Sequence, residues 1–157
     1  KLSVIGDIYS EEVFYILMDY ELARARTNPA PLSLLCIQII PKTSNQETLH
    51  EASNLFASAL KKYMRSTDTP CVSGNEFKIM LPATDQNGLN SACERMLLIF
   101  QNEFEIEDGN TITFSLHIGG TTHQSGETLS HTELLKKGQS ALDQSKQKGL
   151  NTYVILP

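Results

Sequence analysis

Apolar residues along this chain recur at two different periods, and the switch between them predicts its elements. Val13, Phe14, Leu17, Met18, Leu22 and Ala25 follow the three- to four-residue spacing of one helical face. Ser10 can cap that helix, Glu11 and Glu12 fall in its first turn, and Asn28-Pro29-Ala30-Pro31 stops it after about Arg26. Residues 32–40 are a nearly continuous apolar run bounded by prolines, which predicts a buried central strand covered on both faces. A polar loop over 41–48 leads to a second helix from about 47 to 65. Leu49, Ala52, Leu55, Phe56, Ala59, Leu60 and Tyr63 lie on its core side.

The period changes to two over 71–82. Phe77, Ile79 and Leu81 alternate with Glu76, Lys78 and Met80. Ser73-Gly74-Asn75 are turn formers, so the stretch predicts strand, tight turn, strand. A helix from about 85 to 104 follows, buried through Leu89, Ala92, Met96, Leu97 and Phe100. Asp108-Gly109 is a hairpin turn before an alternating strand over 111–119 that ends at Gly119-Gly120. After a loop over 121–128, Ser130 and Glu133 form a capping box for a helix from about 131 to 148. Gly149 stops it, and residues 152–156 are a closing strand. Helix, strand, helix, hairpin, helix, strand, helix, strand predicts an α/β fold, a mixed sheet with helices on its faces.

Composition narrows the picture. The 157 residues suit one domain, 1–157, with a sizeable core, and 40% hydrophobic against 20% charged residues is a globular balance. A net charge of −5 argues against broad nucleic-acid binding and leaves room for a local basic pocket. Cys36, Cys71 and Cys93 lack metal-type spacing and sit in apolar stretches, which predicts reduced core thiols and a cytosolic setting. His50, His117, His123 and His131 have no metal spacing either, and no nucleophile elbow or phosphate-cradling glycine loop is present. No apolar run reaches the roughly 18 residues of a membrane span. The chain begins without Met and is expected to be a segment of a longer protein, the cytosolic part of a membrane-anchored one included.

These words, in this order, resemble the GGDEF domain, the catalytic fold of diguanylate cyclases. Ser73-Gly74-Asn75-Glu76-Phe77 is similar to the family signature Gly-Gly-Asp/Glu-Glu-Phe, and Lys78-Ile79-Met80-Leu81-Pro82 follows it in family fashion. Glu21-Leu22-Ala23-Arg24-Ala25-Arg26 and Pro31-Leu32-Ser33-Leu34-Leu35 resemble the family's first helix and first strand. Thr113-Phe114-Ser115-Leu116-His117-Ile118 resembles its Thr-Val-Ser-Ile-Gly strand, with His117 where Gly is usual. Ala141-Leu142, Lys146, Gly149 and Asn151 match its ending, with Leu150 where Arg is usual. The likeness covers nearly the whole chain and implies a palm-like nucleotidyl cyclase fold, a central mixed β-sheet flanked by helices.

The family's chemistry is metal-assisted nucleotidyl transfer between two GTP molecules. Mg²⁺ prefers charged oxygens and is usually held by carboxylates together with phosphate. The resemblance places one metal carboxylate at the end of the first strand, where this chain has Gln38-Ile39-Ile40, and the other at Asn75. Both positions are neutral. The family's guanine-binding words are reduced to Lys42-Thr43-Ser44-Asn45-Gln46 and Leu49-His50, while Glu76 and Lys146 remain. The expectation is a degenerate domain with no catalytic residues and no metal.

What the resemblance leaves is a product site. Family members often carry Arg-x-x-Asp shortly before the signature, a word that binds cyclic di-GMP. Arg65-Ser66-Thr67-Asp68 matches it, with four residues before Ser73 where five are usual, and Arg95 stands at the family's second arginine. An Arg fork suits guanine O6 and N7 or a phosphate, and a carboxylate accepts from guanine N1 and N2. Taken outside the family, Arg65 with Asp68 reads as an ordinary surface ion pair, and Arg95 as a solvated helix residue. The reading is a cyclic di-GMP receptor through Arg65, Asp68 and Arg95. It would serve bacterial signalling in biofilm or exopolysaccharide control, with other domains of its chain or a signalling or secretion protein as partner. The alternatives are a nucleotide-free scaffold for protein interaction or dimerisation and, remotely, an active cyclase. Neither nucleic acid nor membrane contact is expected of this segment.

Overall fold

A computed structural model describes residues 8–43, 49–124 and 129–157, apart from the side chain of Glu107. The elements are α1 (Glu11–Thr27), β1 (Leu32–Thr43), α2 (Leu49–Lys61), β2 (Thr69–Ser73), β3 (Glu76–Pro82), α3 (Gln86–Ile99), β4 (Phe104–Glu105), a 3-10 turn (Glu107–Gly109), β5 (Thr111–His123), α4 (His131–Lys148) and β6 (Thr152–Leu156). They build one mixed sheet in the order β2-β3-β1-β5-β4, with β6 beside β5 as well. β5 and β6 run parallel and the other pairings are antiparallel.

The apolar run of β1 lies at the centre because both faces of the sheet are covered. Leu35, Ile37, Ile39, Phe77 and Ile79 point into a core with α2 and α3. Leu34, Cys36, Cys71 and Met80 join Phe14, Met18, Leu134 and Leu142 in a second core under α1 and α4. Met80, placed by its alternation on the polar side of β3, is therefore fully buried. At the heart of the first core Phe56 lies 4.2 Å from Phe100, 4.8 Å from Phe77 and 5.3 Å from Phe114, centroid to centroid. Truncating it removes a ring that no neighbour can replace. Phe56→Ala is expected to cost about 3–5 kcal/mol in denaturant unfolding. A loss under about 1 kcal/mol would contradict this packing.

The caps follow the sequence. Ser10 accepts from the Val13 N–H, Ser130 and Glu133 form the capping box, and Gly149 ends α4 at φ 121°. The β2–β3 turn has two residues, Gly74 and Asn75, between the paired Ser73 and Glu76. Only Gly74 takes positive φ, 62°, so the turn is of type II′, in which the first central position alone requires it.

Several boundaries differ from expectation. β1 continues through Pro41 to Thr43, because beyond the Gln38–Glu76 pair β3 has ended and one edge of β1 is open to a proline. β5 runs to His123, through Gly119 and Gly120, where a strand end was expected. A Cβ at Gly119 would lie 2.1 Å from the backbone nitrogen of Leu142, so the glycine marks where α4 crosses the sheet. α3 stops at Ile99, and the following residues turn into the short β4. α2 stops at Lys61, which leaves Arg65 in a turn and Tyr63 47% exposed. The predicted start of α2 before Leu49 and the loop positions 125–128 lie outside the described residues.

Candidate ligand-binding site

Arg65 and Asp68 are the ends of a tight turn between α2 and β2. The Asp68 N–H donates to the Arg65 carbonyl at 3.0 Å, and the Arg65 N–H donates back to Asp68 Oδ2 at 2.9 Å. Arg65 Nε and Nη2 both reach Asp68 Oδ1, at 3.2 and 2.9 Å. Nη2 also lies 3.0 Å from the Pro82 carbonyl and 2.8 Å from Thr84 Oγ1. The Asp68 side chain is only 5% exposed and that of Arg65 50%. The guanidinium thus roofs the carboxylate and ties the turn to the corner that follows β3.

This corner faces a cavity of about 310 Å³ that Arg65, Asp68 and Arg95 all line. The structure brings together three side chains from two separated segments, with the four-residue spacing before Ser73 in place. Gly88, Ala92 and Arg95 share one face of α3, and the two small residues leave that wall low. The opposite wall is the Ala83–Thr84 corner, where Ala83 holds φ 49°, a conformation disfavoured for a residue with a Cβ. Sequence reasoning missed Ala83, Thr84 and Gly88. The signal available was the spacing of 88, 92 and 95 and the turn word Pro82-Ala83-Thr84-Asp85. Asp85 lines the cavity too, but its carboxylate accepts from the Gly88 N–H at 2.8 Å as the cap of α3.

The signature lies elsewhere. Ser73-Gly74-Asn75-Glu76-Phe77 forms the far end of the β2–β3 hairpin, and β3 separates it from the Arg65 corner by roughly 20 Å at 3.4 Å per residue. Phe77 is core, and Ser53 Oγ of α2 donates to the Gly74 carbonyl at 3.1 Å. Gln38 is the cross-strand partner of Glu76 and Asn75 bonds the next residue, Ile39, so the two stretches where the resemblance expects metal carboxylates lie side by side. Both carry amides there. Asn75 Nδ2 donates to the Ile39 carbonyl at 3.3 Å, and the Ile39 N–H donates to the Asn75 carbonyl at 2.9 Å, so this side chain pins the hairpin to β1. Two neutral amides with one carboxylate, Glu76, make a poor donor set for Mg²⁺. Among the described residues no group of three or more His, Cys, Asp or Glu is arranged to hold a metal. Lys146 lies 3.9 Å from Asp143 on α4, and Asn151 has a structural role, its Oδ1 accepting from the Leu116 N–H at 3.0 Å.

Beneath the hairpin, Lys78 Nζ bonds Glu11 Oε2 at 3.0 Å, and the Tyr15 hydroxyl donates to the same oxygen at 3.0 Å. Burial pushes the Glu11 carboxyl up, but the bond and charge of Lys78, with the Tyr15 and Ser73 hydroxyls, outweigh it and hold it below its ordinary value. A depressed carboxyl stabilises the fold above its unfolded value and loses that contribution as pH falls through its folded one. The difference in thermal midpoint between the native protein and Glu11→Gln should therefore hold steady at neutral pH and shrink below about pH 4.3. A difference unchanged down to pH 3 would contradict the pairing. Cys36 and Cys71 flank Lys78 on adjacent strands. Burial pushes both thiols, and Cys93, up to about 12. Two strands apart, about 9.6 Å, Cys36 and Cys71 are too far for a disulfide.

A six-stranded mixed sheet with a helical layer on each face and a two-residue hairpin beside its central strand defines an α/β domain of the palm-like type. The sequence model of the family described as "Diguanylate cyclase, GGDEF domain" matches residues 4–152, and the chain belongs to that family. Its fold is shared with the GGDEF domain of DgcB from Caulobacter crescentus in complex with c-di-GMP, with a TM-score of 0.80 and 15% identity, covering 98% of this chain and 91% of that one. The GGDEF domain of PA1120 (TpbB or YfiN) from Pseudomonas aeruginosa is similar at TM-score 0.83 and 16% identity, covering 100% and 95%. The diguanylate cyclase SiaD in complex with its activator SiaC, also from Pseudomonas aeruginosa, aligns at TM-score 0.76 and 17% identity, covering 98% of this chain and 61% of that one. A search of curated proteins returned no match. No helix among the described residues is long and apolar enough to cross a membrane.

Proposed function

We propose that this domain is a cyclic di-GMP receptor that does not itself make cyclic di-GMP. The observation that carries the reading is the convergence of Arg65, Asp68 and Arg95 on one cavity. At about 310 Å³ the cavity is at the small end for ligand sites, enough for one nucleotide half of the ligand. Two guanidiniums and a carboxylate match guanine edges and phosphate, and each charge-assisted contact is worth about 1.5–3 kcal/mol. Three such contacts give about 4.5–9 kcal/mol, and together with base stacking they supply the roughly 8 kcal/mol of a micromolar complex. That DgcB's GGDEF domain is seen with c-di-GMP supports the ligand class.

The amides at Gln38 and Asn75 support the second half of the reading. With Asn75 committed to the Ile39 carbonyl, the hairpin holds its shape without a metal. Incubation with GTP and Mg²⁺ followed by chromatography should show no cyclic di-GMP, and clear turnover would overturn this half. A receptor needs an output, and we assign it to another domain of the chain or a protein partner in bacterial signalling, in biofilm or exopolysaccharide control. SiaD with its activator SiaC illustrates a diguanylate cyclase that takes a protein partner. We assign the domain to the cytoplasm, the compartment in which a cyclic di-GMP receptor would meet its ligand.

A further inference from the structure

We infer that Tyr63 is an aromatic platform for a guanine base at this site, an assignment that rests on reading Arg65, Asp68 and Arg95 as the cyclic di-GMP contacts. Helical spacing puts Tyr63 in the core with Leu60. Because α2 ends at Lys61, Leu60 is fully buried while Tyr63, in the turn that leads to Arg65, is 47% exposed. A narrow apolar cleft of about 20 Å³ runs between Tyr63, Leu60 and Met96, and Asp68 and Arg95 line it as well. The same two charged residues line the larger cavity, so Tyr63 stands against the ligand-binding pair. The cleft has room for little more than a water, so it is a seam of contact between these residues and not a second ligand chamber.

A carboxylate and two guanidiniums read the edges of a base and leave its faces wet. A tyrosine ring covers one face at low conformational cost and keeps its hydroxyl in water. Stacking would also make the site prefer purines over small anions such as phosphate.

The test is a calorimetric titration with cyclic di-GMP of the native protein, Arg65→Ala, Tyr63→Phe and Tyr63→Leu. Tyr63→Phe should bind within about twofold of native. Tyr63→Leu, which still covers Leu60 and Met96, should bind on the order of tenfold more weakly, the loss of one base–aromatic stack. The chain contains no Trp, so Tyr63→Trp adds a single fluorophore whose emission should be quenched as ligand saturates. If Tyr63→Leu binds like native while Arg65→Ala does not, the platform is overturned and the site stands. If the native protein does not bind, both fall. If Tyr63→Leu fails to fold, Trp emission decides, and emission unchanged at saturation overturns the platform.

Discussion

Arg65→Ala should weaken cyclic di-GMP binding at least tenfold, the lower end of what one charge-assisted contact contributes. Its size is set by what Arg65 does before the ligand arrives. Nη2 is already shared among Asp68 Oδ1, the Pro82 carbonyl and Thr84 Oγ1. A ligand gains only the difference between its own contacts and these, which limits affinity to the micromolar range. The same bonds mean that the variant loses stability as well. Asp68, 5% exposed, would keep the backbone N–H of residue 65 and lose its guanidinium partner. A loss of about 1–3 kcal/mol in unfolding is expected. Binding must therefore be measured well below the thermal midpoint of the variant. Arg65→Lys preserves the charge but cannot span three acceptors with one fork, and should bind nearly as weakly as alanine. Native-like binding by Arg65→Ala at a temperature where it is folded would remove Arg65 from the site.

Gly119→Ala is expected to impair folding by displacing a whole helix. Its added Cβ would meet Leu142 N at 2.1 Å and the Ala141 carbonyl carbon and Leu142 Cα at 2.5 Å. These are backbone atoms of α4, so no side-chain rotation relieves the contact, and the helix must lift off β5. The lift would open the second core, where Leu134 and Leu142 pack against Leu34 and Cys36. A cost of about 3 kcal/mol or more follows, at or beyond the upper end of ordinary overpacking, and low soluble yield is the expected phenotype given a total stability of about 5–15 kcal/mol. Gly74→Ala is the control. It has nothing within 4 Å, and only its φ of 62° opposes a Cβ. About 1–2 kcal/mol is expected there. Equal melting temperatures for the two variants would contradict the close approach of α4.

The elements most legible in the sequence were those set by local chemistry. Ser10, Ser130 with Glu133, and Gly149 marked helix ends because capping is a matter of a few neighbouring residues. The continuous apolar run of β1 announced a strand covered twice. Boundaries set by long-range contacts were not legible. Nothing local says that α2 stops at Lys61; the turn is closed by Asp68 and anchored to Pro82 and Thr84, at and just beyond the end of β3. The same holds for Pro41, tolerated in β1 only because β3 has already ended. Within the site, the charged residues could be named from the family's spacing. Ala83, Thr84 and Gly88 could not, since a small residue at the wall of a cavity looks like any other small residue until the opposite wall is known.

The Arg65 corner is the proposed seat of cyclic di-GMP. Calorimetric titration of the native protein with cyclic di-GMP tests it directly. Saturable heat with a micromolar dissociation constant is predicted, and no heat at high protein and ligand concentration would contradict it.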